Sequence, residues 1–275
     1  MPDTATTPTA QDWIAALRSS QDRLASVVSA LDDDTLVGPS YDTEWTVAQV
    51  LSHLGSGADI FDLMLDAGIA GRTAPGIEEF HPVWDDWNAR SAVDQRDGVL
   101  TSNEKLVGKI EGLSPEERAK FHLDFFGNDT DLAGFVRLRL GEHAVHTWDA
   151  AVVLDPAALV TSNAVELLVD HVSQLAARSG RACEQSFRVR VTTTDPGRHF
   201  IVSVGETVSA EPVDAAESNA TDPVDGSLTL PAEAYLRLIY GRLDPDHTPE
   251  LAASASAVGV GTRGLDDLRA TFQGF

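Results

Sequence analysis

Apolar positions in the first half of the chain repeat with the spacing of an α-helix. Trp13, Ile14, Leu17, Leu24, Val27, Val28 and Leu31 form one such row, which puts their side chains on one helical face. "DDDTLVGPSYD" breaks the row with Gly38 and Pro39. A second helix is predicted to open near Thr46. Val47, Val50, Leu51, Leu54, Phe61 and Leu65 form its stripe, and Gly68 and Gly71 its end. A weaker pattern predicts a third helix from about Trp84 to Ile110, followed by "LSPEERAKFHLDFFGNDT" as a connector. A fourth helix is predicted over about Asp131 to Val153, stopped by Pro156, and a fifth over Asn163 to Ser179.

The period changes after Gly180. "SFRVRVTTTD" and "RHFIVSV" alternate apolar and polar residues as strands do, with "PGR" as a turn between them. "GETVSAEPVDAAESNATDPVDG" is acidic and poor in large apolar residues, so it reads as a loop or irregular edge segment. "SLTL" reads as a short strand, "PAEAYLRLIYGR" as a helix opened by a proline, and "GLDDLRATFQGF" as a last helix. No internal repeat is visible. The expected fold class is α+β: residues 1–10 a disordered tail, 11–180 a four-helix bundle, and 181–275 a smaller α+β domain.

Composition narrows the function classes. A hydrophobic fraction of 43% over 275 residues allows a packed core and argues against general disorder. No apolar run has the length of a membrane span. "MPDTATTPTAQ" lacks the basic and apolar regions of a signal peptide, so a cytoplasmic location is expected. A net charge of −23 argues against nucleic acid and anionic membrane surfaces as partners. The single cysteine, Cys183, permits neither an internal disulfide nor a cysteine-rich zinc site. A monomer or weak homo-oligomer is expected.

Against this background "GEHAVHTWDA" stands out. Glu142 and His146 are four residues apart and share a helix face with Phe135, Leu138 and Val153. Polar groups there interrupt a stripe expected to point into the bundle. Burying a lone carboxylate costs about several kcal/mol, and a metal ion is one way to satisfy it. His53 has the same peculiarity on the second helix, with the small Gly57 beside it to leave room. His53, Glu142 and His146 together supply the nitrogen and oxygen donors of an open catalytic zinc site. Asp149, one turn on, is placed to hold an imidazole N–H. His143 is an alternative ligand but points about 100° away from Glu142. A histidine on an apolar face is also commonly just a hydrogen-bonded core residue, so spacing alone leaves both readings open.

Other chemistry is thinner. Trp45, at the entry of the His53 helix, reads as packing. Trp84 and Trp87, with His81 nearby in "HPVWDDWNAR", are candidates to line a cofactor or sugar-binding surface. "GSG" at 55–57 lies inside a helical pattern with no strand before it, so it is not a phosphate loop. His122, His171, His199 and His247 have no partner at ligand spacing, and the acidic stretch at 244–247 reads as solvated loop.

Two segments carry a resemblance. "EWTVAQVLSHLGSGADIF" resembles the W-[ST]-x-x-x-[IVL]-x-H-[IL] signature of DinB-like bundles, in the mycothiol-dependent maleylpyruvate isomerase group. "RLGEHAVHTWDAAVVL" resembles that group's second metal segment, with its E-x-x-x-H-x-x-D spacing. A helical half followed by a small α+β domain with an "LRLIYGR"-like helix is similar too. The resemblance implies a divalent metal, usually zinc, held at His53, Glu142 and His146, and mycothiol as the thiol cofactor. It also implies an assisting arginine in the C-terminal domain, for which Arg242 is the candidate, with Arg237 behind it. A free thiol has a pKa of about 8.5, and a metal lowers it. The implied function is a metal-dependent isomerase or S-transferase that turns a thiolate on a small electrophile. Two alternatives remain: a thiol-independent metal-dependent hydrolase, and a non-catalytic ligand-binding module.

Overall fold

The computed structural model describes residues 7–42, 44–125, 128–214, 223–250 and 263–274. The chain divides into two compact units, Met1–Ala164 and Val165–Phe275.

In the N-terminal unit the long helices are α1 (Ala10–Ala30), α3 (Val47–Ile69), α5 (Ala92–Glu111) and α7 (Leu132–Leu154). α1 packs on α5 and α7, and α3 packs on the same two, so the four close a ring around one core. Leu17, Leu24, Val50, Leu51, Leu54, Leu106, Phe135 and Leu140 are fully buried in it. α2 (Asp33–Val37) and α4 (Ile77–Ala89) lie against this frame, while α6 (Pro115–Lys120) leads into the hairpin β1 (Leu123–Phe125) and β2 (Asn128–Thr130).

Caps fix where the helices start. Thr46 Oγ1 accepts from the Gln49 N–H, while Gln49 Oε1 accepts from the Thr46 N–H, so α3 begins at Val47. Asp131 accepts from the Gly134 N–H at the start of α7. The third predicted helix is in fact two. Ser91 exchanges hydrogen bonds with Asp94, which caps a new helix directly after α4. Gly68 does not end α3 but stays inside it against Phe121, and Gly71, at φ 61°, follows the end. At the N-terminus Thr9 already bonds to Asp12 and α1 starts at Ala10, so helix begins inside the segment expected to be a tail. Residues 1–6 of that segment lie outside the described residues.

The C-terminal unit holds β3 (Phe187–Thr194), β4 (Arg198–Val204), β5 (Val208–Pro212) and β6 (Gly226–Pro231), in sheet order β5-β4-β3-β6. β6 runs parallel to β3, and the other pairs are antiparallel. β5 falls where a loop or irregular edge was expected; residues 215–222 of that stretch lie outside the described residues. The fifth predicted helix is broken into α8 (Ser162–Leu168), a 3₁₀ turn (Val169–His171) and α9 (Val172–Ser179). α9 belongs with the sheet, since Ser173 Oγ donates to the Ala210 carbonyl of β5. This is why the units divide before residue 180, where the change of period placed the boundary. Helix α10 (Ala232–Ile239) lies against β6 and α9. Among the described residues no helix is long and apolar enough to cross a membrane. The architecture is α+β, with a helical bundle in the first unit.

Candidate metal centre

The seam between α3 and α7 carries two rows of half-buried positions at four-residue spacing. His53, Gly57 and Phe61 form the row on α3, and Leu138, Glu142 and His146 the row on α7. Across the seam His53 Nε2 lies 3.5 Å from Glu142 Oε2. His146 Nε2 lies 3.6 Å from the same oxygen. The two imidazoles meet edge to face with centroids 4.5 Å apart. One ligand atom from each of the three residues falls within 4.8 Å of the others, a grouping no other described residues make.

The site is more open than the spacing suggested. Side-chain exposures are 35% for His53, 42% for Glu142 and 16% for His146. The face expected to point inward, Phe135, Leu138, Glu142, His146 and Val153, does so only in part: Phe135 is fully buried, but Leu138 is half-buried and Val153 exposed. The deep face of α7 runs from Phe135 through Val136, Arg139, Leu140, His143 and Thr147. The triad therefore sits at the rim of the core, within reach of solvent and small molecules.

Asp149 accounts for the orientation of His146. Its buried carboxylate lies 2.8 Å from His146 Nδ1, which turns Nε2 toward Glu142. The protonation states follow from these neighbours. Burial disfavours charge on His146, but hydrogen bonds to Asp149 and Glu142 outweigh it and raise the imidazole to about 9. Burial also opposes ionisation of Glu142, yet the hydrogen bonds from His146 and His53 hold its carboxyl well below the usual range. Burial lowers His53, with the Glu142 hydrogen bond opposing it.

Trp45, read from sequence as packing, is 37% exposed. Its ring lies 5.4 Å from that of His53 and stacks at 22° on His146, 6.4 Å away, so it forms an aromatic wall of the centre. His143 points elsewhere: it is fully buried, and its Nδ1 meets Ser20 Oγ at 2.8 Å. Trp87 is corrected as a binding surface. Its side chain is enclosed, with Nε1 donating to Asp59 and the ring flush against Gly55. Trp84 is half-buried on the same helix, edge-on to His81. In the C-terminal unit Arg242 is buried and donates to the Tyr240 carbonyl. Arg237 is committed to Glu233, at 2.7 and 3.0 Å.

Sequence reasoning missed Arg139. It is fully buried on α7, and its Nη2 donates to the Leu54 carbonyl at 2.8 Å and to Asn103 Oδ1 at 2.6 Å. Its Nη1 occupies the space left by Gly57, where a Cβ would come within 2.8 Å. The room beside His53 is thus taken by a guanidinium. The available signal was an arginine three residues before Glu142, flanked in sequence by the apolar Leu138 and Leu140.

The donor set suits a divalent cation: two imidazole nitrogens and one carboxylate oxygen converge from adjacent helices, with a carboxylate behind one imidazole. Residues 17–151 match the family described as "Mycothiol maleylpyruvate isomerase N-terminal domain", a span that includes all three donors. The N-terminal unit belongs to this domain family. That assignment agrees with the fold. The crystal structure of the mycothiol-dependent maleylpyruvate isomerase aligns with a TM-score of 0.63 over 86% of this chain and 90% of that one, at 12% identity. A mutant of that enzyme aligns equally well. Two proteins named "Putative metal-dependent hydrolase" are also similar. One, from Geobacillus thermodenitrificans (strain NG80-2), is 44% identical over 72 residues, 26% of this chain and 36% of that protein. The other, from Geobacillus kaustophilus (strain HTA426), is 44% identical over 103 residues, 38% of this chain and 53% of that protein. The matches thus span about a third and about half of those relatives' lengths.

Proposed function

We propose that the protein is a metal-dependent, mycothiol-using isomerase or S-transferase acting on a small electrophile. The observation that carries this reading is the convergence of His53, Glu142 and His146 at a solvent-accessible rim, braced by Asp149. Family membership supports the thiol part. A divalent cation such as zinc, held by these three residues, would supply the Lewis acidity that lowers the pKa of a thiol from about 8.5 toward neutrality.

The chain's own residues do the rest. Glu142 stays ionised between two imidazoles and supplies the negative donor. Asp149 fixes the ring of His146. Trp45 shields one side of the centre from water and offers a flat apolar face to the incoming thiol or electrophile. Arg242 is carried over from the resemblance as the candidate for an assisting role, and half-buried Trp84 as the candidate for a contact with the cofactor's sugar. A thiolate that adds to a double bond and leaves after rotation gives isomerisation, whereas release of the adduct gives S-transfer.

The test combines binding and turnover. Mycothiol added to the zinc-loaded protein is expected to raise its Tm, by linkage, and to be consumed or recycled with an electrophilic substrate. No shift at millimolar mycothiol, together with hydrolysis of an ester or amide panel, would favour the second reading, a thiol-independent metal-dependent hydrolase. That reading has support in the names of the two Geobacillus relatives.

A further inference from the structure

Arg139 is an expensive residue to bury. A guanidinium out of water is normally paired with a carboxylate, yet the hydrogen bonds of Arg139 go to neutral acceptors, the Leu54 carbonyl and Asn103. Its Nε is buried with no acceptor at all. The carboxylates of Glu142 and Asp59 act on it only through space, and Asp59 is already bonded to Trp87. Its position is set by two features of the seam. It lies three residues before Glu142 on α7, and its Nη1 fills the slot opened by Gly57, one turn along α3 from His53. A cross-link between α3, α5 and α7 would need only a neutral amide at this place. The charge itself lies 5.6 Å from the centroid of the Phe61 ring and in the field of Glu142 and Asp59, toward the metal-centre side of the seam.

We infer that Arg139 is an electrostatic positioning residue for the metal centre: its buried positive charge offsets Glu142, so that a cation held by His53, Glu142 and His146 retains affinity for an anionic ligand. This deepens the proposed function and rests on it, because the anionic ligand there is a thiolate. The neutral hydrogen bonds of Arg139 hold it in register without cancelling its charge. Low exposure keeps water from screening it. A cation placed beside another cation binds less tightly, and an anion placed there binds more tightly. The residue therefore lowers metal affinity and raises thiolate affinity.

This gives a sign that a purely structural role does not share. Arg139→Gln keeps a hydrogen-bond donor and removes the charge, and Arg139→Lys keeps the charge and loses the planar fork. Co²⁺ serves as the probe, its affinity measured by chelator competition on the full chain. β-Mercaptoethanol binding is then read from the thiolate-to-cobalt absorption band. Arg139→Gln is expected to bind Co²⁺ about fivefold more tightly and the thiol about fivefold more weakly than wild type, with Arg139→Lys close to wild type in both. If Arg139→Gln does not fold, the double variant Arg139→Met/Asn103→Leu removes both buried polar partners together and carries the same expectation. Weaker Co²⁺ binding in Arg139→Gln or the double variant, or equal behaviour of the Gln and Lys variants, would overturn the inference while leaving the metal reading intact. Wild type that takes up no Co²⁺ would overturn the metal reading and this inference with it. Cobalt bound normally but with no thiolate band in any variant would sink the thiol reading and the thiolate half of the inference, leaving the cation-affinity half to be decided by the Gln and Lys comparison.

Discussion

His143 and His146 sit three residues apart on α7 and have opposite surroundings. His146 is at the rim, between the carboxylates of Glu142 and Asp149. His143 is in the core, with the hydroxyls of Ser20 and Thr147 at its Nδ1. Carboxylates raise the first to about 9. Burial, reinforced by the charges of Arg139 and His146, pushes the second well below its ordinary value. One helix thus makes a candidate ligand and a neutral packing residue from the same amino acid. The 100° step per residue decides which neighbours each one meets.

The largest expected effect tests that division directly. His53→Ala, Glu142→Ala and His146→Ala are each expected to lose bound divalent metal by elemental analysis while keeping the helical CD signal. His143→Gln should keep its metal. Equal loss in His143→Gln would erase the distinction between rim and core. Next in size, Asp149→Asn is expected to weaken metal binding about 10- to 100-fold, because the carboxylate behind His146 Nδ1 becomes a neutral amide that holds the ring less firmly.

Core and rim also differ in stability. Trp87→Ala should cost about 3–5 kcal/mol in denaturant unfolding, as a fully enclosed side chain leaves a cavity. Trp45→Ala should cost much less and instead alter ligand binding. A comparable loss from both would mean that Trp45 is packing after all.

The smallest effect is on pH dependence, read on chelator-treated protein. His143 has a folded pKa below the unfolded value of about 6.5, so the unfolded chain takes up its proton first. The stability this group supports is present above about 6.5 and falls as pH drops toward the folded value. His146 has the opposite sign: its contribution is full below about 6.5 and is lost as pH rises through about 9. His143→Gln should flatten the acid side of the stability profile, and His146→Gln the alkaline side. A swap of these two outcomes would reverse the assignment of environments.

Much of the bundle was legible because burial on one face enforces a 3.6-residue period, and α1, α3 and α7 match their rows within a few residues. The break between α4 and α5 was less visible. It depends on the Ser91–Asp94 cap, which interrupts no apolar row. β5 was hidden because "VSAEP" offers only Val208 and Ala210 to the sheet, and as an edge strand it pairs on one side. At the centre, the spacing of Glu142 and His146 and the odd position of His53 pointed to the three residues the fold brings together. Their depth was misjudged, since periodicity gives a face but not how far the neighbouring helix covers it. Arg139 was passed over because an arginine in a helix is by default a solvated one.

The "GSG" at 55–57 is no phosphate loop, but it is not idle. A methyl group at Gly55 would come within 2.1 Å of the Trp87 ring, and one at Gly57 within 2.8 Å of Arg139 Nη1. The backbone of α3 is therefore gripped on one side by an indole and on the other by a guanidinium, within a turn of His53. The two glycines act as a keyway: they let bulky groups from α4 and α7 seat against the helix and fix its rotation about its own axis. A carbon added at Gly55 would have to displace the enclosed Trp87 ring, whereas one at Gly57 would push back the end of the Arg139 side chain.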